Sequence, residues 1–260
     1  MHFTHFASIL AIRWPQISFP GSAALTEQIV LRWIHIVAGI IWIGLLYFFN
    51  FVGFPVMKRL DAPVRVQVYP VMMERAIWWF GWSALLTVLV GLRYFAILLA
   101  EDARNAEEPS LVVKWLGAWF VVWIMAFVLI YPLQMPHKGI LGNGWMRCIG
   151  IAVIVVAASW IDLEWYANPR SSNAHLAIGI GGGLGLLMLL NTWGVVWRVQ
   201  KKMIAWTRAA AEQGAAMPAE AERLAAWSYF ASRTGFWLSF PMLFFMAAAE
   251  HYPFLIGMGN

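Results

Sequence analysis

The stretch Arg32-Trp33-Ile34-His35-Ile36-Val37-Ala38-Gly39-Ile40-Ile41-Trp42-Ile43-Gly44-Leu45-Leu46-Tyr47-Phe48-Phe49-Asn50-Phe51 decides the fold. About 20 consecutive apolar residues are enough for a helix to cross a bilayer. The same stretch carries His35 about two turns inside its N-terminal end. Lipid offers an imidazole no hydrogen-bond partner, so a titratable ring at that depth marks a candidate functional site.

The rest of the chain agrees with a lipid solvent. Of 260 residues, 62% are hydrophobic and 12% charged, with 17 Trp; the mean hydropathy is +0.68. Soluble domains are about a quarter charged. The net charge of +5 does not require nucleic acid, because basic loops on one side of a membrane give the same balance. Cys148 is the single cysteine, which excludes an intrachain disulfide and a thiolate cluster. No CxxCH is present, so haem is not attached covalently to this chain. Met1 to Pro20 is broken by Pro15 and Pro20 and reads as an interfacial lead-in, extending to residue 28, without a signal peptide.

Hydropathy predicts an all-α integral membrane bundle of one domain with about six spans. They cover residues 29–53, 76–99, 112–133, 145–161, 174–197 and 229–249, followed by a tail to Asn260. The polar, alanine-rich segment 200–228 predicts a helical hairpin between the last two. The fifth span contains Gly179-Ile180-Gly181-Gly182-Gly183-Leu184-Gly185. No Lys-Ser/Thr follows it and no strand precedes it, so it is not a phosphate loop. Small residues in a membrane helix admit a neighbouring helix or a flat cofactor, and helix packing is the first expectation.

Loop charge sets orientation. Lys58, Arg59, Arg65, Arg75, Lys138, Arg147, Arg198, Lys201, Lys202, Arg208 and Arg223 fall on one side. Arg13, Arg104, Lys114 and Arg170 fall on the other, beside Glu101, Asp102, Glu107 and Glu108. The positive-inside rule places the eleven-charge side in the cytoplasm and both termini outside. His35, Arg93, His175, Glu250 and His251 then share the outer half, with Asp162 and Glu164 nearby, whereas His137 sits in a cytoplasmic loop. One cofactor accounts for histidines and an arginine at one depth: a b-type haem with two axial imidazoles and an arginine on a propionate. His35 with either His175 or His251 would ligate the iron, Arg93 would take the propionate, and Gly39 would leave room for the macrocycle. Three histidines holding a metal without haem would need a carboxylate such as Glu250 or Asp162 behind them.

The run His35 to Gly44 resembles the N-terminal membrane domain of the bacterial membrane-bound urate oxidase family. The resemblance extends to Asn191–Met203, with Arg198-Val199-Gln200-Lys201-Lys202, and is closest at Phe240-Pro241-Met242-Leu243-Phe244-Phe245-Met246 and His251-Tyr252-Pro253-Phe254. In that family a cytochrome c domain follows the membrane domain; here the sequence ends at Asn260. Thr234-Gly235-Phe236-Trp237 stands where the family has His-Asn-Asn-Tyr, and Gly179 where it has a histidine, one turn after His175.

The resemblance implies a redox protein of the bacterial cytoplasmic membrane that oxidises urate or a related small molecule and passes electrons to a separate cytochrome c. The alternative is a non-catalytic integral subunit of a larger respiratory or oxidase complex. A transporter ranks last, because no pair of Gly/Pro-broken helices recurs in matching halves.

Overall fold

The computed structural model describes residues 21–166, 171–249, 251, 252 and 255. Every regular element among them is helical. There are six long helices: α1 (Ala23–Arg59), α2 (Ala62–Asn105), α3 (Leu111–Gln134), α4 (Gly144–Tyr166), α5 (Asn173–Gln213) and α6 (Ala221–Ala248). The first five are long and apolar enough to cross a membrane. Helix α6 has the length, at 28 residues, but Glu222, Arg223, Arg233 and several Ser and Thr dilute its apolar content.

Local chemistry sets the ends. Ser22 caps α1 by accepting from the Leu25 N–H at 3.2 Å, and Ser172 caps α5 by accepting from the His175 N–H at 3.2 Å. Gly214 terminates α5 in the left-handed conformation, φ 65°, which favours glycine. The tail of α5 and the start of α6 form the hairpin expected for residues 200–228, although α5 runs into it without a break. Both α1 and α5 contain a π-helical stretch, Phe49–Gly53 and Thr192–Trp197.

Helix α5 is the axis of the bundle. Its apolar window is 78% buried, against 17% for those of α1 and α4. The glycine run makes this possible. A Cβ on Gly183 would fall 1.8 Å from Trp123 Cε2, and one on Gly181 would fall 3.2 Å from Phe245 Cβ. The bare backbone of α5 thus receives α3 on one side and α6 on the other. Large apolar residues turn outward on α1 and α4, including Trp33, Ile40, Val153 and Trp160. A surface of that kind suits lipid rather than water.

The helices meet at an acidic end, where several polar bonds tie them. Ser172 N and Oγ and His175 Nδ1 all reach Asp102 Oδ2 at 3.0 Å. Gln28 donates to Glu101 at 3.0 Å, and Asn173 donates to the Ala249 carbonyl at 2.8 Å. At the opposite end the Tyr69 hydroxyl donates to Gln200 Oε1, and Gln200 Nε2 donates to Ser228 Oγ at 3.0 Å.

Candidate functional site

Helices α1 and α6 touch through Tyr47, whose hydroxyl hydrogen-bonds Ser239 Oγ at 3.1 Å. Its ring packs on Phe236 and Phe240, and Phe51 adds a further contact to Phe236. Toward the acidic end they part, and the gap is a cavity of about 540 Å³. That is within the usual range for a small-molecule or cofactor site, about 300–1,000 Å³.

Five helices and the segment after α6 line it. His35, Gly39 and Trp42 come from α1; Thr87, Gly91 and Phe95 from α2; Trp119 from α3; Gly182 and Gly185 from α5; Met242, Leu243 and Met246 from α6. Arg32 and His251 stand toward the acidic end. The walls are otherwise apolar. Ile36, Ile40 and Leu243 line the cavity and also face outward, so its mouth opens on the apolar flank between α1 and α6.

His35 is the most constrained polar group of this wall. Its Nδ1 lies 2.8 Å from the Thr87 carbonyl oxygen. A carbonyl only accepts, so Nδ1 carries the proton and the ring lone pair is on Nε2. Gly91 makes the position possible: a Cβ there would fall 2.8 Å from His35 Cε1. Thr87 is held in turn by its own hydroxyl, which donates to the Ser83 carbonyl at 2.7 Å. A histidine whose one N–H is engaged by a backbone carbonyl presents the other nitrogen as a ligand or acceptor, the arrangement usual for metal-binding imidazoles.

The other expected site residues divide. Gly39 and His251 line the cavity with His35. His175 does not: it is fully buried against Trp115 and Phe95, with Nδ1 on Asp102. Arg93 does not line it either. It pairs with Glu27 at 2.8 Å on an outward face, and the cavity arginine is Arg32 instead. Helical rotation gives the reason: Gly91 and Phe95 point inward, and successive residues turn by about 100°, which carries position 93 to the far side.

Asp162 is buried in α4, away from the cavity lining; His137 Nε2 donates to the Pro132 carbonyl oxygen at 2.7 Å. Glu250 lies outside the described residues. Among the described residues no group of three or more His, Cys, Asp or Glu is placed to hold a metal. Sequence reasoning missed Thr87 and Gly91, whose only signal was the spacing of a glycine one turn after a threonine on the neighbouring span. The chain matches no protein-family model, no curated protein and no solved structure.

Proposed function

We propose that this chain is a multi-pass membrane redox protein whose cavity holds a b-type haem, with His35 Nε2 as an axial ligand. The observation that carries the reading is the His35–Thr87 bond, which engages Nδ1 and leaves the lone pair on Nε2, in a residue that lines the cavity. The residues present fit the group. Gly39, Gly182 and Gly185 line it without side chains, the lining is apolar, and Arg32 supplies a cation at the acidic end. Met242, Met246 and His251 line the same space and are of the types that serve as a second axial ligand.

Bound haem would supply one-electron transfer. The chain's own residues would surround the group with an apolar lining, fix the His35 tautomer through Thr87, exclude water with Trp119, Phe95 and Met242, and neutralise a propionate with Arg32. In this reading α6 is the sixth span, both termini are outside, and Arg59 and Lys201 are in the cytoplasm. The acidic end then faces a separate cytochrome c, the partner that the urate oxidase resemblance implies. Urate or a related small molecule is the substrate class that goes with it, in the bacterial cytoplasmic membrane.

A second reading rests on the mouth between α1 and α6. Its lips, Ile36, Ile40 and Leu243, face the lipid. An apolar molecule dissolved in the bilayer, such as an isoprenoid quinol, could enter there and donate a hydroxyl to His35 Nε2. A reduced-minus-oxidised absorption spectrum of the purified protein separates the two. Haem bands that disappear in His35→Ala carry the first reading. Their absence from protein purified after haem-replete expression removes it and leaves the quinol reading, which binding of a short-chain quinol then tests.

A further inference from the structure

Toward the basic end, the outward face of α2 and α5 carries tryptophans that the cavity does not use. Trp193 and Trp197 stand in the π-helical stretch of α5, with their rings stacked at 4.7 Å. Gly81 of α2 receives both. Its carbonyl accepts from Trp193 Nε1 at 3.0 Å, and a Cβ there would fall 2.5 Å from the Trp197 ring. Trp193 meets Trp82 edge to face at 5.5 Å, and Trp82 meets Trp78 at 6.3 Å. Trp78 and Trp82 are about half exposed. The indoles form one plate, anchored at its back by Gly81 and open at its front.

Cations border the plate. Lys201 Nζ lies 5.9 Å from the centre of the Trp197 ring. Arg75 shares a face of α2 with Trp78 and Trp82, at the i, i+3, i+7 spacing of a helical stripe. Contacts of Trp82 with Trp193 and of Glu74 with Arg208 fix the antiparallel register of α2 and α5, which sets Arg75 and Lys201 at one level. Both are exposed. Arg208 neutralises Glu74 at 2.6 Å, and among the described residues no carboxylate pairs with Arg75 or Lys201. In the other direction Trp82, Leu86 and Leu89 carry the stripe into the apolar span, each about half exposed.

The chemistry of this face selects its occupant. Indoles gather where hydrocarbon gives way to headgroups. Two cations at that level call for an anion, and the apolar stripe beyond them calls for an acyl chain. An anionic phospholipid joins both in one molecule. A zwitterionic lipid brings its own cation, which Arg75 and Lys201 repel. We infer that the α2–α5 face binds one anionic phospholipid, its phosphate held between Arg75 and Lys201 and an acyl chain laid along Trp82, Leu86 and Leu89. None of these residues lines the 540 Å³ cavity, so the site is independent of what fills it.

Native mass spectrometry of the full chain tests this, with the protein released from nanodiscs holding equal amounts of phosphatidylglycerol and phosphatidylcholine of matched chains. Wild type should retain one phosphatidylglycerol in preference to phosphatidylcholine. Arg75→Gln and Lys201→Gln should each lower that preference about fivefold, the effect of one cation near a membrane surface. Lys201→Arg keeps the charge and should keep the preference. Lys202→Gln removes the same charge at a position turned by about 100° and should leave the preference intact. Equal retention of the two lipids by wild type overturns the proposal and leaves an aromatic belt that takes any lipid. An equal loss in Lys202→Gln overturns it too, because total charge would then set the preference. A dimer that sheds the lipid, and that Trp82→Ala dissociates, would give the face to a second copy of the chain instead.

Discussion

The imidazole of His35 lies against the bare backbone of Gly91, so close that a Cβ at position 91 would fall 2.9 Å from Nδ1. Gly91→Ala should push the ring off Thr87 and weaken whatever His35 holds. Overpacking of this kind costs about 1–3 kcal/mol. Gly44→Ala is the control, because Gly44 also lines the cavity yet has nothing within 4 Å of its would-be Cβ. Haem content per protein and the melting temperature should fall in the first variant and stay level in the second.

Gly183 and Gly185 make a sharper pair. The Trp123 indole occupies the space a side chain at 183 would need, and Trp123 is wholly buried. Gly183→Ala should therefore displace α3 from α5, at a cost of about 3 kcal/mol or more, and the protein should accumulate poorly in the membrane. Gly185→Ala meets nothing within 4 Å and should be neutral or stabilising by about 0.5–1 kcal/mol through helix propensity. Membrane yield and melting of the two variants check this directly.

Arg93 and Arg32 should behave differently. The Arg93–Glu27 pair is outward-facing, and exposed ion pairs contribute about 0–1 kcal/mol. Arg93→Lys and Arg93→Ala should leave the absorption spectrum and midpoint potential unchanged. Arg32→Gln should shift the potential or lower cofactor retention, since Arg32 lines the cavity. A spectrum indifferent to Arg32 would deny it the propionate role.

Asp102 gathers three donors from the start of α5. Asp102→Ala should destabilise the acidic end by about 1–3 kcal/mol, the range for leaving a buried hydrogen-bonding group without its partner. His175→Ala should destabilise as well, while any haem bands persist, because His175 does not line the cavity. Loss of the bands from a variant that keeps its helicity by circular dichroism would restore His175 as a ligand.

Hydropathy made the six long helices legible, and five of them carry a stretch long and apolar enough to cross a membrane. His35 was legible as well: an imidazole amid Ile, Val and Trp stands out. Its support was not. Thr87 and Gly91 lie more than 50 positions away, and neither residue type is unusual in a membrane helix. Arg93 stood at the right depth on the wrong face, since hydropathy reports depth and carries no rotation when the whole helix is apolar. The glycine run serves the helix packing expected of it, since Gly183 receives Trp123, and Gly182 and Gly185 border the cavity. Thr234 donates to the Phe230 carbonyl at 3.0 Å, a local bond within its own helix.

The π-helical stretches give α1 and α5 a change of phase. Each is an α-helix with a widened turn, and one added residue rotates everything beyond it by about 100°. The two halves of α5 therefore address different neighbours: Gly183 turns to α3, while Gln200 turns to Tyr69 and Ser228. Removing a single residue from Thr192–Trp197, such as Gly194, would leave the composition almost untouched and the hydropathy profile unaltered. It would nonetheless swing Gln200 and the basic tail through more than a quarter of a turn, out of register with both partners.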